Sequence, residues 1–268
     1  MLYRALFVLA IVMPLAFLPA RAQDGSQSLR AAVDTAVAAV KPALVRIHVV
    51  WTEYAEGREM KFEASGSGSI ITPEGHVATN HHVAGHGTRI HCTLSTKEEI
   101  DAELVGTDAA TDIAVIKLLP KDGRTFPVAK WGDSAAVTVG DVVLAMGSPL
   151  SLSQSVTQGI VSNTEMVMPE RMFGRFEQDG ENIGALVRWI GHDAAIFPGN
   201  SGGPLVNLRG EIVGVNEIGI GLGGAIPANV AQGVAKALIA DGRVKRSWVG
   251  VAVRPLLKHG PTERGVLV

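Results

Sequence analysis

Gly199-Asn200-Ser201-Gly202-Gly203-Pro204-Leu205-Val206 sets one serine among glycines and then turns apolar. A nucleophilic serine needs its oxygen exposed on a tight turn, with backbone N–H groups free to face a developing oxyanion. Flanking glycines permit that close backbone approach. The G-x-S-x-G spacing also marks the nucleophile elbow of α/β-hydrolases, where strand, sharp turn and helix follow one another. Here Leu205-Val206 continues as a strand, which weakens the elbow reading and favours an all-β setting. Taken alone, the segment fits an ordinary glycine-rich turn as well as a nucleophile.

Short β-type runs surround that turn, at 43–51, 67–71, 76–79, 88–94, 101–107, 113–118, 142–146, 155–162, 186–190, 204–206 and 212–215. Glycine, proline, aspartate and asparagine separate them, a rhythm that predicts a sandwich or a pair of barrels. The 268 residues are 47% hydrophobic and 19% charged, enough apolar material for a sizeable core. A short helix is predicted over 26–40, ended by Pro42, and a second over 229–240, stopped at Asp241-Gly242. The Met-, Glu- and Arg-rich stretch 165–182 breaks the strand rhythm and reads as a long surface loop. A formal charge of -2 implies no basic face and no nucleic-acid partner.

Arg4, the apolar run 5–18 and the small residues around Arg21 form a leader pattern over 1–22, with the mature chain starting near Gln23. The run is short and broken by Pro14 and Pro19, so a cleaved leader is expected, with an uncleaved anchor as the alternative and at most peripheral contact with a membrane. Cys92 is the single cysteine, so no internal disulfide is available and packing must carry stability.

A base and an orienting carboxylate are available upstream of Ser201. Thr79-Asn80-His81-His82-Val83 follows a strand-like run, and Thr111-Asp112-Ile113-Ala114-Val115 opens an apolar strand that would bury Asp112. The order His, Asp, Ser is that of chymotrypsin-type proteases, not of α/β-hydrolases or subtilisins. In that scheme His82 takes the Ser201 proton, Asp112 fixes the His82 tautomer, and the N–H groups of Gly199 and Ser201 hold the oxyanion. His81 competes with His82 for the first role and Asp108 with Asp112 for the second. A metal site built from His81, His82, His86, His91 and Cys92 is a weaker alternative, because neighbours on an extended segment face opposite ways. No cofactor and no metal are expected.

From about Ala43 to Gly250 the chain resembles the HtrA/Deg family of trypsin-like serine proteases. The resemblance is carried by Gly66-Ser67-Gly68-Ser69-Ile70-Ile71, by the His82 and Asp112 segments, by Trp131-Gly132-Asp133-Ser134 and by Gly140-Asp141 with Gly147-Ser148-Pro149. Ser155 to Ser162, Asp193 to Ile196, Pro198 to Val206 and Ala225-Ile226-Pro227 continue it. It implies an all-β fold of two perpendicular six-stranded barrels, over 43–125 and 126–242, with His82 and Asp112 on the first and Ser201 on the second; the base directly before valine is His82. It also implies a periplasmic, ATP-independent endopeptidase of unfolded or misfolded protein chains, assembled as a homotrimer. The substrate side chain would meet Ile196, Phe197, Val215, Asn216 and Glu217. A catalytically silent relative that acts as a chaperone or scaffold is the alternative.

The sequence also departs from the family pattern. Phe197 stands where asparagine is usual, and Gly224 replaces an aromatic residue. Glu217 follows the strand at 212–215, and its side chain either projects into the specificity pocket or faces solvent. The last segment, 247–268, resembles the start of a PDZ domain but is too short to hold a core.

Overall fold

The computed structural model describes residues 22–55, 57–148, 155–167, 177–178, 180–219, 221–247, 250, 254–255 and 266–267. Helix α1, Ala22–Val40, buries Ala36 and Val40 and leads into β1, Leu44–Ala55. β1 pairs along its whole length with β2, Arg58–Ile70, across a tight turn where Gly57 takes φ +74. β3 (His76–Asn80), β4 (Arg89–Thr93), β5 (Glu99–Asp108) and β6 (Ile113–Leu118) complete a closed six-stranded antiparallel barrel in the order β1-β2-β3-β6-β5-β4. Leu44, Ile47, Ile70 and Ile116 fill it.

The second barrel is built from β8 (Val142–Gly147), β9 (Ser155–Met166), β12 (Trp189–His192), β13 (Pro204–Asn207), β14 (Glu211–Gly219) and β15 (Gly223–Pro227). Its order is β13-β8-β9-β12-β15-β14, and β14 closes back on β13; β7 (Lys130–Trp131) adds in parallel to β14. The expected pair of six-stranded barrels is therefore present. Strand alternation makes β6 the wall between them: Ala114, Ile116 and Leu118 point into the first barrel, while Ile113 and Val115 join Val215 and Ile226 of the second. Helix α3, Ala228–Asp241, lays Ala231, Val234 and Leu238 on that shared layer. It ends at Gly242 in the left-handed region (φ +69), whose N–H donates to the Leu238 carbonyl at 2.8 Å.

The stretch 165–182 is not loop throughout. β9 runs to Met166, which pairs with Trp189, and β10 (Glu177–Gln178) pairs with β11 (Glu181–Asn182); residues 168–176 lie outside the described residues. The glycine-rich 218–224 segment likewise extends the β14–β15 pairing to Gly219 and Gly223. The leader at 1–22 lies outside the described residues except for Ala22, as does most of 247–268, where β16 (Arg254–Pro255) pairs with β17 (Val266–Leu267). Among the described residues no helix is long and apolar enough to cross a membrane.

Candidate active site

At the end of β3 the chain enters α2, His81–Ala84, and this corner is fastened to Asp112. The Asp112 carbonyl accepts the His81 N–H at 3.1 Å and the Asn80 Nδ2–H at 3.0 Å. Asp112 closes the helical turn Ala109–Thr111 in the left-handed conformation (φ +52, ψ +35), unusual for a non-glycine residue. That bend turns its fully buried carboxylate toward α2, where Oδ1 accepts the His82 N–H at 2.9 Å and Oδ2 the His82 Nδ1–H at 2.7 Å. With Nδ1 committed as donor, Nε2 is left as the basic nitrogen.

The two competitors are occupied elsewhere. His81 is buried, with Nδ1 against Thr107 Oγ1 and its ring edge-on to His86. Asp108 takes the Arg246 guanidinium in a two-point contact and the Thr111 hydroxyl. Among the described residues no group of three or more His, Cys, Asp or Glu side chains converges as a metal would need. Cys92 is fully buried and its thiol is pushed up to about 12 by burial, which makes it an inert apolar packer.

Ser201 lies on a turn clamped from both barrels. Asn200 N–H donates to the Phe197 carbonyl at 2.9 Å, with Pro198 second in the turn and Gly199 third at φ +99, a type II arrangement. Ser67, from β2, holds the turn at two points: its Oγ donates to the Gly199 carbonyl at 2.6 Å and its N–H to the Ser201 carbonyl at 2.8 Å. Ser67 Oγ in turn accepts the Ser148 N–H at 2.9 Å. Gly202 (φ +81) is required, since a Cβ there would sit 2.2 Å from both Ser67 O and Thr79 Oγ1. Among the described residues, neither the Gly199 nor the Ser201 N–H has a protein acceptor. Ser201 Oγ donates to the Glu217 carbonyl at 3.4 Å, and no hydrogen bond joins it to His82.

The trypsin-like peptidase domain matches residues 66–215, which run from β2 into β14 and hold Ser67, His82, Asp112 and Ser201. The chain belongs to the trypsin-like peptidase family. Within it the chain is of the HtrA type: it is 41% identical over 208 residues to a probable periplasmic serine endoprotease, DegP-like, of Pseudomonas savastanoi pv. phaseolicola, covering 75% of this chain and 40% of that protein. A Rhizobium meliloti protein of the same description is 39% identical, covering 76% of this chain and 38% of its own length. The chain thus spans about 40% of the length of these curated relatives. Among solved structures, the HtrA-type protease AlgW with decapeptide superposes with TM-score 0.68 at 32% identity, over 84% of this chain and 72% of that one. A serine endoprotease from Yersinia pestis superposes with TM-score 0.63 at 33% identity, over 82% and 71%.

In this trypsin-like peptidase the residues expected to meet a substrate side chain divide into two groups. Phe197 is 49% exposed at the mouth of the site, and Ile196 packs so tightly on the β14 edge that a Cβ on Gly219 would come within 3.0 Å of it. Val215 and Asn216 face inward: Val215 belongs to the layer between the barrels, and Asn216 Nδ2–H donates to the Pro204 carbonyl at 3.0 Å. Their buried side chains brace β13, next to the Ser201 turn.

Glu217 is half-buried, with its carboxyl turned inward. The β14–β15 register slips between Asn216 and Ile218, and this bulge re-aims the one residue between them. Its carboxyl meets the Trp189 indole N–H on one side and the Asp112 carboxyl on the other. Burial, then the neighbouring Asp112 charge, push its pKa well above the usual carboxylate range, partly offset by the Trp189 bond. The sequence reading missed this contact, and it missed Ser67 as a clamp, although the flanking Gly66 and Gly68 signalled a close backbone approach there. His192 was also unmarked: it is fully buried against Gly223, and burial pushes its pKa down to about 4.

Proposed function

We propose that this chain is a serine endopeptidase in which Ser201 is the nucleophile, His82 the general base and acid, and Asp112 the carboxylate that fixes His82. The observation that carries the reading is the His82 Nδ1–Asp112 Oδ2 bond of 2.7 Å beside a serine turn whose two N–H groups are unspent. Rotation about the Ser201 side chain moves Oγ from the Glu217 carbonyl to His82 Nε2. Oγ then attacks the scissile carbonyl carbon while its proton passes to Nε2, and Asp112 stabilises the imidazolium. The oxyanion takes the Gly199 and Ser201 N–H bonds. Collapse of the intermediate expels the amine, which receives the Nε2 proton; water, deprotonated by the same nitrogen, hydrolyses the acyl-enzyme and releases Ser201.

The substrates proposed are unfolded or misfolded protein chains in the periplasm, and the assembly proposed is a homotrimer. The first rests on relatives described as periplasmic serine endoproteases and on a related protease solved with a decapeptide, the second on the family resemblance alone. The domain division proposed is a leader over 1–22, a helical segment over 23–42, barrels over 43–125 and 126–242, and a PDZ-like start over 247–268. Ser201 Oγ resting on the Glu217 carbonyl favours a second reading, a catalytically silent relative. A fluorophosphonate probe with unfolded casein separates the two. The peptidase labels at one site, cleaves casein, and loses both in Ser201→Ala; a folded wild type that neither labels nor cleaves overturns it.

A further inference from the structure

We propose that Glu217 is a positioning residue of this site, a neutral carboxylic acid that donates its proton to Asp112 and extends the Ser201–His82–Asp112 line by a fourth member. The inference rests on the serine-peptidase reading above and assigns that site a further part.

Both Asp112 oxygens already accept N–H groups of His82. A second carboxyl touching Asp112 can be accommodated only with a proton between the two, since adjacent carboxylates cannot both ionise in a buried setting. That proton belongs to Glu217, because Asp112 is the acceptor toward His82. The Trp189 N–H fixes one end of the Glu217 carboxyl as an acceptor, as the carbonyl oxygen of a neutral acid would be. The surroundings hold this arrangement from three sides. The β14 bulge aims the side chain. Gly184 lies so close that a Cβ there would be 3.0 Å from Glu217 Oε1. The strap carrying Gly184 is tied to the turn before Asp112, with Gly184 N–H donating to the Ala109 carbonyl and Leu186 N–H to the Ala110 carbonyl, both at 2.9 Å. The charged group acting on Glu217 is Asp112, with His82 behind it; among the described residues no lysine or arginine acts on it.

Glu217 therefore reaches both ends of the catalytic line, its carbonyl to Ser201 Oγ and its carboxyl to Asp112. Loss of its proton at alkaline pH removes the bond that orients Asp112 and sets a second negative charge beside it.

The test is kcat and KM on casein from about pH 5 to pH 10 for wild type, Glu217→Gln and Glu217→Leu. Glutamine keeps an N–H donor for Asp112 and a carbonyl for Trp189 but cannot ionise. Its kcat at neutral pH is expected within about threefold of wild type, and its alkaline decline is expected to be lost; leucine lowers kcat by about tenfold to a hundredfold with KM moved little. Leucine matching wild type in kcat and pH profile, glutamine as impaired as leucine, or a persisting alkaline limb in glutamine each overturns the proposal. Infrared difference spectra of wild type against Glu217→Gln read the proton without turnover. A protonated-carboxyl band at neutral pH, absent from the variant, is expected, and its absence from wild type overturns the assignment. Failure of Ser201 to label with fluorophosphonate defeats the peptidase reading instead, and leaves the infrared result to decide Glu217.

Discussion

Ser67 Oγ stands between two backbone groups, accepting from Ser148 N–H at 2.9 Å and donating to the Gly199 carbonyl at 2.6 Å. The second bond fixes the plane of the Gly199–Asn200 peptide, and through it the left-handed Gly199 whose N–H is the proposed oxyanion donor. In Ser67→Ala the Gly199 carbonyl loses its donor and the turn can relax to another peptide orientation. Removal of one oxyanion donor costs about 10²-fold in kcat, and that is the loss expected here, with KM changed far less. The Ser67 N–H still holds the Ser201 carbonyl at 2.8 Å, so Ser201, the proposed nucleophile, keeps its place. Single-turnover acylation separates the outcomes: slow acylation with near-normal binding is expected, whereas wild-type acylation would show that Ser67 only packs.

Among elements, β12 shows most clearly what sequence could and could not carry. Its expected run 186–190 overlaps the observed strand, Trp189–His192, only at 189–190, since 186–188 belong to the connection before it; the strand places Trp189 toward the layer between the barrels and His192 against β15. Most other strands and the helices expected over 26–40 and 229–240 were legible, because they are written in local periodicity and caps, and the proposed triad residues stand in motifs a few residues long. Residues 58–66 of β2 and all of β15 were not legible. The Glu217 direction was not, because a one-residue bulge reverses what alternation predicts. Ser67 to Gly199 is a contact across 132 positions with no local signature. His192 belongs to the same class, since its burial depends on Gly223 of the paired strand, where a Cβ would fall 2.2 Å from the ring. Its ring nitrogens reach no partner of normal hydrogen-bond geometry, although the Ala194 backbone offsets part of the burial effect. The folded-state pKa of about 4 lies below the ordinary 6.5, so between these values the unfolded chain binds a proton that the folded chain does not. Stability is therefore full above about pH 6.5 and falls as pH drops toward 4, by up to about 3 kcal/mol. His192→Leu is expected to flatten that acid slope in thermal melts from pH 7 to pH 4; a slope equal to wild type would assign it to other groups.

Across the whole molecule, the two barrels are coupled by more than the β6 wall. α3 packs on β5 and β6 of the first barrel and on β14 and β15 of the second, and β5 approaches its end so closely that a Cβ on Gly106 would lie 2.4 Å from the Gly242 carbonyl. Just beyond that end, Arg246 returns to the first barrel and grips buried Asp108, with Nη2 2.7 Å from Oδ2. The Asp108 bond raises the Arg246 pKa further, so this cation stays charged at every pH at which the protein is folded. Arg246→Met strands the Asp108 carboxylate with the Thr111 hydroxyl as its remaining side-chain partner. Because Arg246 is about a third exposed, the cost is reduced by solvent to about 1–3 kcal/mol, or roughly 3–8 °C in Tm. Most of that penalty is an uncompensated buried charge, not a lost attraction. Asp108→Asn in the Arg246→Met background is therefore expected to recover part of the lost Tm, while Asp108→Asn alone lowers it. Four melts make the double-mutant cycle. If the double variant melts at the sum of the two single losses, the contact carries no coupling, and α3 is held to the first barrel by its apolar face alone.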